Sequence, residues 1–221
     1  MKIRAAIFDL DGTLLNTLDD LADSVNFALE KYNMPKRSVS EVRRFVGNGV
    51  YLLIKRAVPE NTDEQTALDI LDVFKKHYAE NCENKTNPYD GITEMLRELK
   101  TGGIKTAVVS NKFDNAVREL CEKYFGRLID AAIGEREGVR RKPCPDSVLE
   151  VMRTLNVEAG QSIYIGDSDV DIETAANAGL ECVSVSWGFK TKEQLIGFGA
   201  KKIADNPQEL LEIIEAQIKN P

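Results

Sequence analysis

Apolar residues dominate Ile3 to Phe8, and the run stops at two acidic residues, Asp9 and Asp11, with Leu10 between them. A short continuous apolar run closed by a turn signal reads as a strand buried on both faces. The period then changes. Leu18, Leu21, Ala22, Val25, Ala28, Leu29 and Tyr32 recur at spacings of three and four, which predicts an amphipathic helix stopped by Pro35. Further helices are expected over about 39–45, 50–57 and 63–82, the last capped by Thr62, with Gly47-Asn48-Gly49 joining the first two of these. No strand pattern interrupts residues 17–83, so this stretch reads as a small all-helical module placed directly after the first strand.

Beyond it, strand and helix alternate. Strands are expected at 104–110, 131–133, 162–165 and 181–185, with a weak one near Ile203. Helices are expected at 90–100, 115–124, 146–155, 171–178 and 207–218. This rhythm predicts an α/β fold, a doubly wound, Rossmann-like parallel sheet with helices on both faces. The expected division is a core of residues 1–16 and 85–221 carrying an inserted helical domain at 17–84.

In an open parallel sheet, sites form where the strands end. The first strand ends in Asp9, Asp11 and Thr13; alternation points both carboxylates the same way. Such a pair is stable if a cation sits between the carboxylates or one of them holds a proton. Gly12 comes too early for an EF-hand loop, and no glutamate closes one. The later strands end in Ser110-Asn111-Lys112, in the loop Arg141-Lys142-Pro143, and in Gly166-Asp167-Ser168-Asp169-Val170-Asp171. Carboxylates, a hydroxyl and a lysine on one edge suit a magnesium ion beside a phosphate group.

Composition narrows the field. The 221 residues are 43% hydrophobic and 29% charged, and the net charge of −7 disfavours nucleic acid or an anionic membrane as partner. No apolar stretch is long enough to span a bilayer, and the opening Met1-Lys2-Ile3-Arg4 runs straight into a strand, so no signal peptide is expected. Cys82, Cys121, Cys144 and Cys182 form no CxxC pair, which fits a reduced, cytoplasmic protein. His77 is the sole histidine, which argues against histidine-based zinc chemistry and a Ser-His-Asp triad.

Taken together, DLDGTLLNT at 9–17, VVSNK at 108–112, RKPCP at 141–145 and GDSDVD at 166–171 resemble the haloacid dehalogenase-like hydrolase superfamily over the whole chain. The helical insert is similar to that family's cap, and FVGNGVYLLIKRAV at 45–58 is similar to its phosphoglycolate phosphatase branch. The resemblance implies a magnesium-dependent phosphatase acting on a small phosphate ester as a monomer or homodimer. It implies an aspartyl-phosphate intermediate on Asp9, with Asp11 giving and then taking a proton. It implies magnesium at Asp9, the Asp11 carbonyl and Asp167, with Asp171 a ligand or a partner behind the ligands. Thr13, Ser110, Asn111 and Lys142 would hold the phosphoryl oxygens. Gly47, Asn48 and Gly49, at a helix start, are candidates for reading the leaving group. A β-phosphoglucomutase-like phosphomutase, or a pyrophosphatase or nucleotidase of the same fold, is the alternative. A receiver-type signalling domain is disfavoured because it lacks a helical insert and takes its phosphoryl group on a later strand.

Overall fold

The opening apolar run folds as β1 (Ala5–Phe8), buried at all four positions. The structure, a computed structural model, describes residues 2–47 and 49–219. After β1 come β2 (Leu15–Asn16), α1 (Leu18–Lys31), α2 (Val39–Phe45), α3 (Val50–Ala57) and α4 (Glu64–Asn81). Then follow β3 (Asn87–Pro88), α5 (Ile92–Thr101), β4 (Lys105–Phe113), α6 (Asp114–Tyr124), β5 (Ala131–Glu135) and α7 (Asp146–Leu155). The chain closes with β6 (Ser162–Gly166), α8 (Asp169–Ala178), β7 (Glu181–Val185), α9 (Lys192–Gly197), β8 (Ile203–Ala204) and α10 (Pro207–Lys219).

The chain divides into two compact units, Met1–Leu15 with Pro88–Pro221, and Asn16–Asn87. The first holds a parallel sheet of six strands in the order β5-β4-β1-β6-β7-β8. β1 lies inside it, so crossovers leave in both directions and the strand order reverses beside it. Period-two alternation sorts its side chains: Ala6 and Phe8 join the core on one face, and Ala5 and Ile7 join the other. Helices cover both faces, as the alternating pattern predicts. α5 and α10 contribute Leu96, Leu99, Leu210 and Ile214 to one core, while α7 contributes Val148, Val151 and Leu155 to the other.

The second unit has its own apolar centre. Val25, Ala28 and Leu29 of α1 pack with Val42 of α2, Leu53 and Ile54 of α3, and Ile70 and Phe74 of α4. Ser38 and Glu41 form a capping box that starts α2. Asp20, only 2% exposed, accepts N–H bonds from Lys85 and Thr86 and a hydroxyl bond from Thr86, tying the unit's exit to its first helix. His77 stacks on Phe27 with ring centres 4.0 Å apart, and its Nδ1 meets Ser24 Oγ at 3.0 Å.

Local details differ from the sequence expectations. Asp63, not Thr62, caps α4, its carboxylate accepting the Thr66 N–H at 3.0 Å. α8 starts at Asp169, with Ser168 as its cap, earlier than expected. α9 and the β2–β3 pair carry too few apolar positions to show a period. β4 runs on to Phe113 instead of turning at Ser110, because Phe113 re-pairs with Glu135 after a register shift. All four cysteines are free, and no described helix is long and apolar enough to cross a membrane.

Candidate active site

The sheet delivers the candidate residues to one edge. Phe8 is in register with Val108 and Ile165, so Asp9, Ser110 and Asp167 emerge from adjacent strands at their carboxyl ends. The turn after β1 is tight: Thr13, Leu14 and Leu15 all donate N–H to the Leu10 carbonyl, at 3.3, 3.0 and 3.0 Å. Gly12 takes φ +85°, and a Cβ there would strike the Asp167 carboxylate. Gly166 gives the same room to Asp171. Trp187 donates its indole N–H to the Thr13 carbonyl at 3.0 Å and fixes the far side of the turn.

Lys142 lies at the centre. Its ammonium, with the side chain 4% exposed, reaches Asp9 Oδ1 at 2.9 Å, Asp171 Oδ1 at 2.8 Å and the Tyr164 hydroxyl at 3.1 Å. Asn111 positions the lysine: its Oδ1 accepts the Lys142 N–H at 2.9 Å, and its Nδ2 donates to the Lys142 carbonyl at 3.1 Å. Both ends of that amide are therefore occupied by the loop. The Ser110 hydroxyl accepts the Lys112 N–H at 3.2 Å. Thr13 Oγ1 is buried without a hydrogen-bond partner, the kind of orphan that a bound ligand satisfies.

Three buried carboxylates, Asp9, Asp167 and Asp171, each bring one oxygen within 4.8 Å of the others. Burial pushes the Asp9 carboxyl up to about 7 against the pull of Lys142, and the charge of Asp171 adds to the rise. Burial, followed by the charges of Asp171 and Asp9, lifts Asp167 well above the usual carboxylate range. Burial works against the Lys142 ammonium, but Asp171 and Asp9 outweigh it and hold its pKa well above that of ordinary lysine.

Hard oxygen donors with surplus negative charge fit a magnesium ion. Asp9 uses Oδ1 on the Leu10 N–H and Lys142, and Asp167 uses Oδ2 on the Phe189 N–H at 2.6 Å, so each keeps its other oxygen for a cation. Asp171 does not. Its Oδ1 takes Lys142 and Tyr164, and its Oδ2 takes the Ser168 N–H at 3.1 Å and the Ser168 hydroxyl at 2.6 Å. Those four donors suit a partner behind the ligands. The Asp11 carboxylate is outside the trio and pairs with Lys112 Nζ at 3.0 Å.

In the helical unit, Gly47 and Gly49 adopt φ of 128° and 90° on the approach to α3, and Asn48 lies outside the described residues. Arg56 braces this approach through the carbonyls of Phe45 and Gly47, at 2.7 and 3.1 Å.

Two contributors escaped the sequence reading. Tyr164 looks like one more apolar strand residue, although an aromatic hydroxyl inside the otherwise aliphatic Ile163–Ile165 was a signal. Lys112 stood beside the serine motif, but nothing local marked its partner.

Comparison with known proteins identifies the family of the fold. The haloacid dehalogenase-like hydrolase family model matches residues 6–185. A phosphoglycolate phosphatase of Pseudomonas syringae pv. tomato is 33% identical over 97% of this chain and 84% of its own length. One from Aquifex aeolicus is 29% identical over 98% of this chain and 99% of its own. The crystal structure of a Lactobacillus delbrueckii subsp. bulgaricus protein, provisionally described as a phosphoglycolate phosphatase, superposes with a TM-score of 0.93. It is 37% identical, over 97% of this chain and 99% of that one.

Proposed function

The chain belongs to the haloacid dehalogenase-like hydrolase family and is a phosphatase, and from that premise we propose that it hydrolyses 2-phosphoglycolate with magnesium, through an aspartyl phosphate on Asp9. It acts in the cytoplasm, as a monomer or homodimer, on a small free substrate. The observation that carries the reading is the buried trio Asp9, Asp167 and Asp171 at the sheet edge, with the Lys142 ammonium bridging Asp9 and Asp171. The names of the relatives support the choice of substrate.

In this reading an Asp9 oxygen attacks phosphorus, and the bond from phosphorus to the ester oxygen breaks. Asp11 gives its proton to the departing alkoxide, so the alcohol leaves neutral. Asp11, now a carboxylate, takes a proton from water as that water attacks the phospho-aspartate, which returns free Asp9 and inorganic phosphate. Lys142 and the orphan Thr13 hydroxyl hold the phosphoryl oxygens, with Ser110 beside them. Asn111 holds the Lys142 peptide. Asp9, Asp167 and the Asp11 carbonyl would hold the magnesium ion, which supplies charge neutralisation at the phosphoryl oxygens. Asp171 and Tyr164 orient Lys142 from behind. Gly47, Asn48 and Gly49 are the residues of the helical unit proposed to read the carboxylate of the substrate.

The test is phosphate release from phosphoglycolate, pyrophosphate, nucleoside monophosphates and glucose 1-phosphate, with and without magnesium, against Asp9→Asn. Magnesium-dependent turnover of phosphoglycolate, absent in the variant, is expected. Turnover spread evenly over the panel would discard the substrate. Transfer of the phosphoryl group to a sugar, without free phosphate, would replace the hydrolase with a mutase.

A further inference from the structure

Alternation along β1 should send Asp9 and Asp11 to the same place, yet the carboxylates part company. Asp9 joins Asp167 and Asp171, whereas Asp11 Oδ1 meets the ammonium of Lys112 at 3.0 Å. Lys112 sits on β4, the strand next to β1, and its side chain is 6% exposed against 20% for Asp11. Its backbone is fixed as well, through the N–H bond to Ser110 Oγ at 3.2 Å. A lysine this withdrawn from water is stable only when paired. The two carboxylates of the first motif thus meet different ammonium groups: Lys142, which also holds Asp171, for Asp9 and Lys112 for Asp11.

The arrangement has a chemical consequence. A carboxylate two residues from Asp9 could equally join the cation-binding cluster, and it would then be lost to proton transfer. We propose that Lys112 is the positioning residue for Asp11: it draws that carboxylate away from the trio and keeps it on the side where the alcohol leaves. This rests on the reading of Asp11 as the group that gives and takes the proton. Lys112 acts through Asp11 and makes no bond to the reacting phosphoryl group.

The test compares first-turnover release of alcohol from two esters. p-Nitrophenolate leaves without a proton, whereas the alkoxide of phosphoglycolate needs one. Lys112→Gln should slow release of glycolate on the order of tenfold to a hundredfold, below the roughly 10²–10⁴ that proton transfer itself contributes. Release of p-nitrophenolate should fall far less. Lys112→Arg, which keeps the charge and is less prone to misfold, should recover most of the loss. In an Asp11→Asn background, Lys112→Gln should cost nothing further, because the two act as one unit. Equal slowing of both esters, or losses that add in the double variant, would overturn the proposal in favour of direct contact with the phosphoryl group. If Asp11→Asn selects against glycolate release and Lys112→Gln does not, the Lys112 role alone is wrong. If Asp11→Asn itself slows both esters alike, the acid–base reading of Asp11 falls, and this inference with it.

Discussion

Replacing Lys142 with methionine should remove the ammonium and keep most of the volume. The ammonium touches Asp9, Asp171 and Tyr164, all at 3.1 Å or less, with the lysine side chain 4% exposed. Removing one partner of a buried ion pair costs about 3–5 kcal/mol, because the remaining charge is left without compensation. The loss does not fall evenly. Asp171 retains the Ser168 N–H and hydroxyl, whereas Asp9 retains only its neighbour, the Leu10 N–H. Asp9 can escape by binding a proton. Burial already pushes it from 3.8 to about 7 with Lys142 pulling the other way, and without the lysine it rises further. A carboxyl whose pKa is higher folded than unfolded stabilises the fold below its unfolded pKa, and that contribution is lost as pH rises through the folded value.

The variant should therefore suffer most at high pH. Urea unfolding of the metal-free protein at pH 8 should show the full loss of about 3–5 kcal/mol. At pH 5.5 the loss should shrink by about 1 kcal/mol or more, since Asp9 is then protonated in the folded state. Saturating magnesium at pH 8 should recover part of the difference by binding only the folded form. Turnover should fall by roughly thirty- to a thousandfold, the equivalent of about 2–4 kcal/mol of transition-state stabilisation. An identical cost at pH 5.5 and pH 8 would refute the reasoning, for it would mean that Asp9 takes no proton when its cation is gone. A variant more stable than the parent at pH 8 would refute it equally.

Three further outcomes are expected. Thr13→Val removes a buried hydroxyl that has no partner, so stability should hold within about 0.5 kcal/mol while KM for the phosphate ester rises roughly five- to tenfold, as read by steady-state kinetics. Gly12→Ala combines φ +85° with overlap onto the Asp167 carboxylate; thermal unfolding should show a loss of roughly 2–4 kcal/mol, and calorimetry weaker magnesium binding. The parent protein without metal should lose about 1 kcal/mol of stability between pH 6 and pH 8, as Asp9 gives up the proton it holds near 7, and magnesium should flatten that slope.

What the sequence made legible was local. The run ending in Asp9 announced a buried strand because β1 is covered on both faces, and an apolar run is the pattern such a strand leaves. The order of the motifs assigned Ser110, the loop of Lys142 and Asp167 to the carboxyl side of their strands, because a parallel sheet collects those sides on one edge. Even α9 left a mark, for Thr191 and Gln194 form the capping box that starts it. The pairing of charges left none. Asp11 and Lys112 are 101 residues apart, and they meet only because β4 lies next to β1 and continues past Ser110. That continuation depends on Phe113 re-pairing with Glu135, a long-range event that no window around Ser110 contains. A motif gives the residue types a reaction needs within a few positions. Which ammonium serves which carboxylate is decided by strand order, and strand order here groups Asp9 with Asp167 and Asp171 and leaves Asp11 to Lys112.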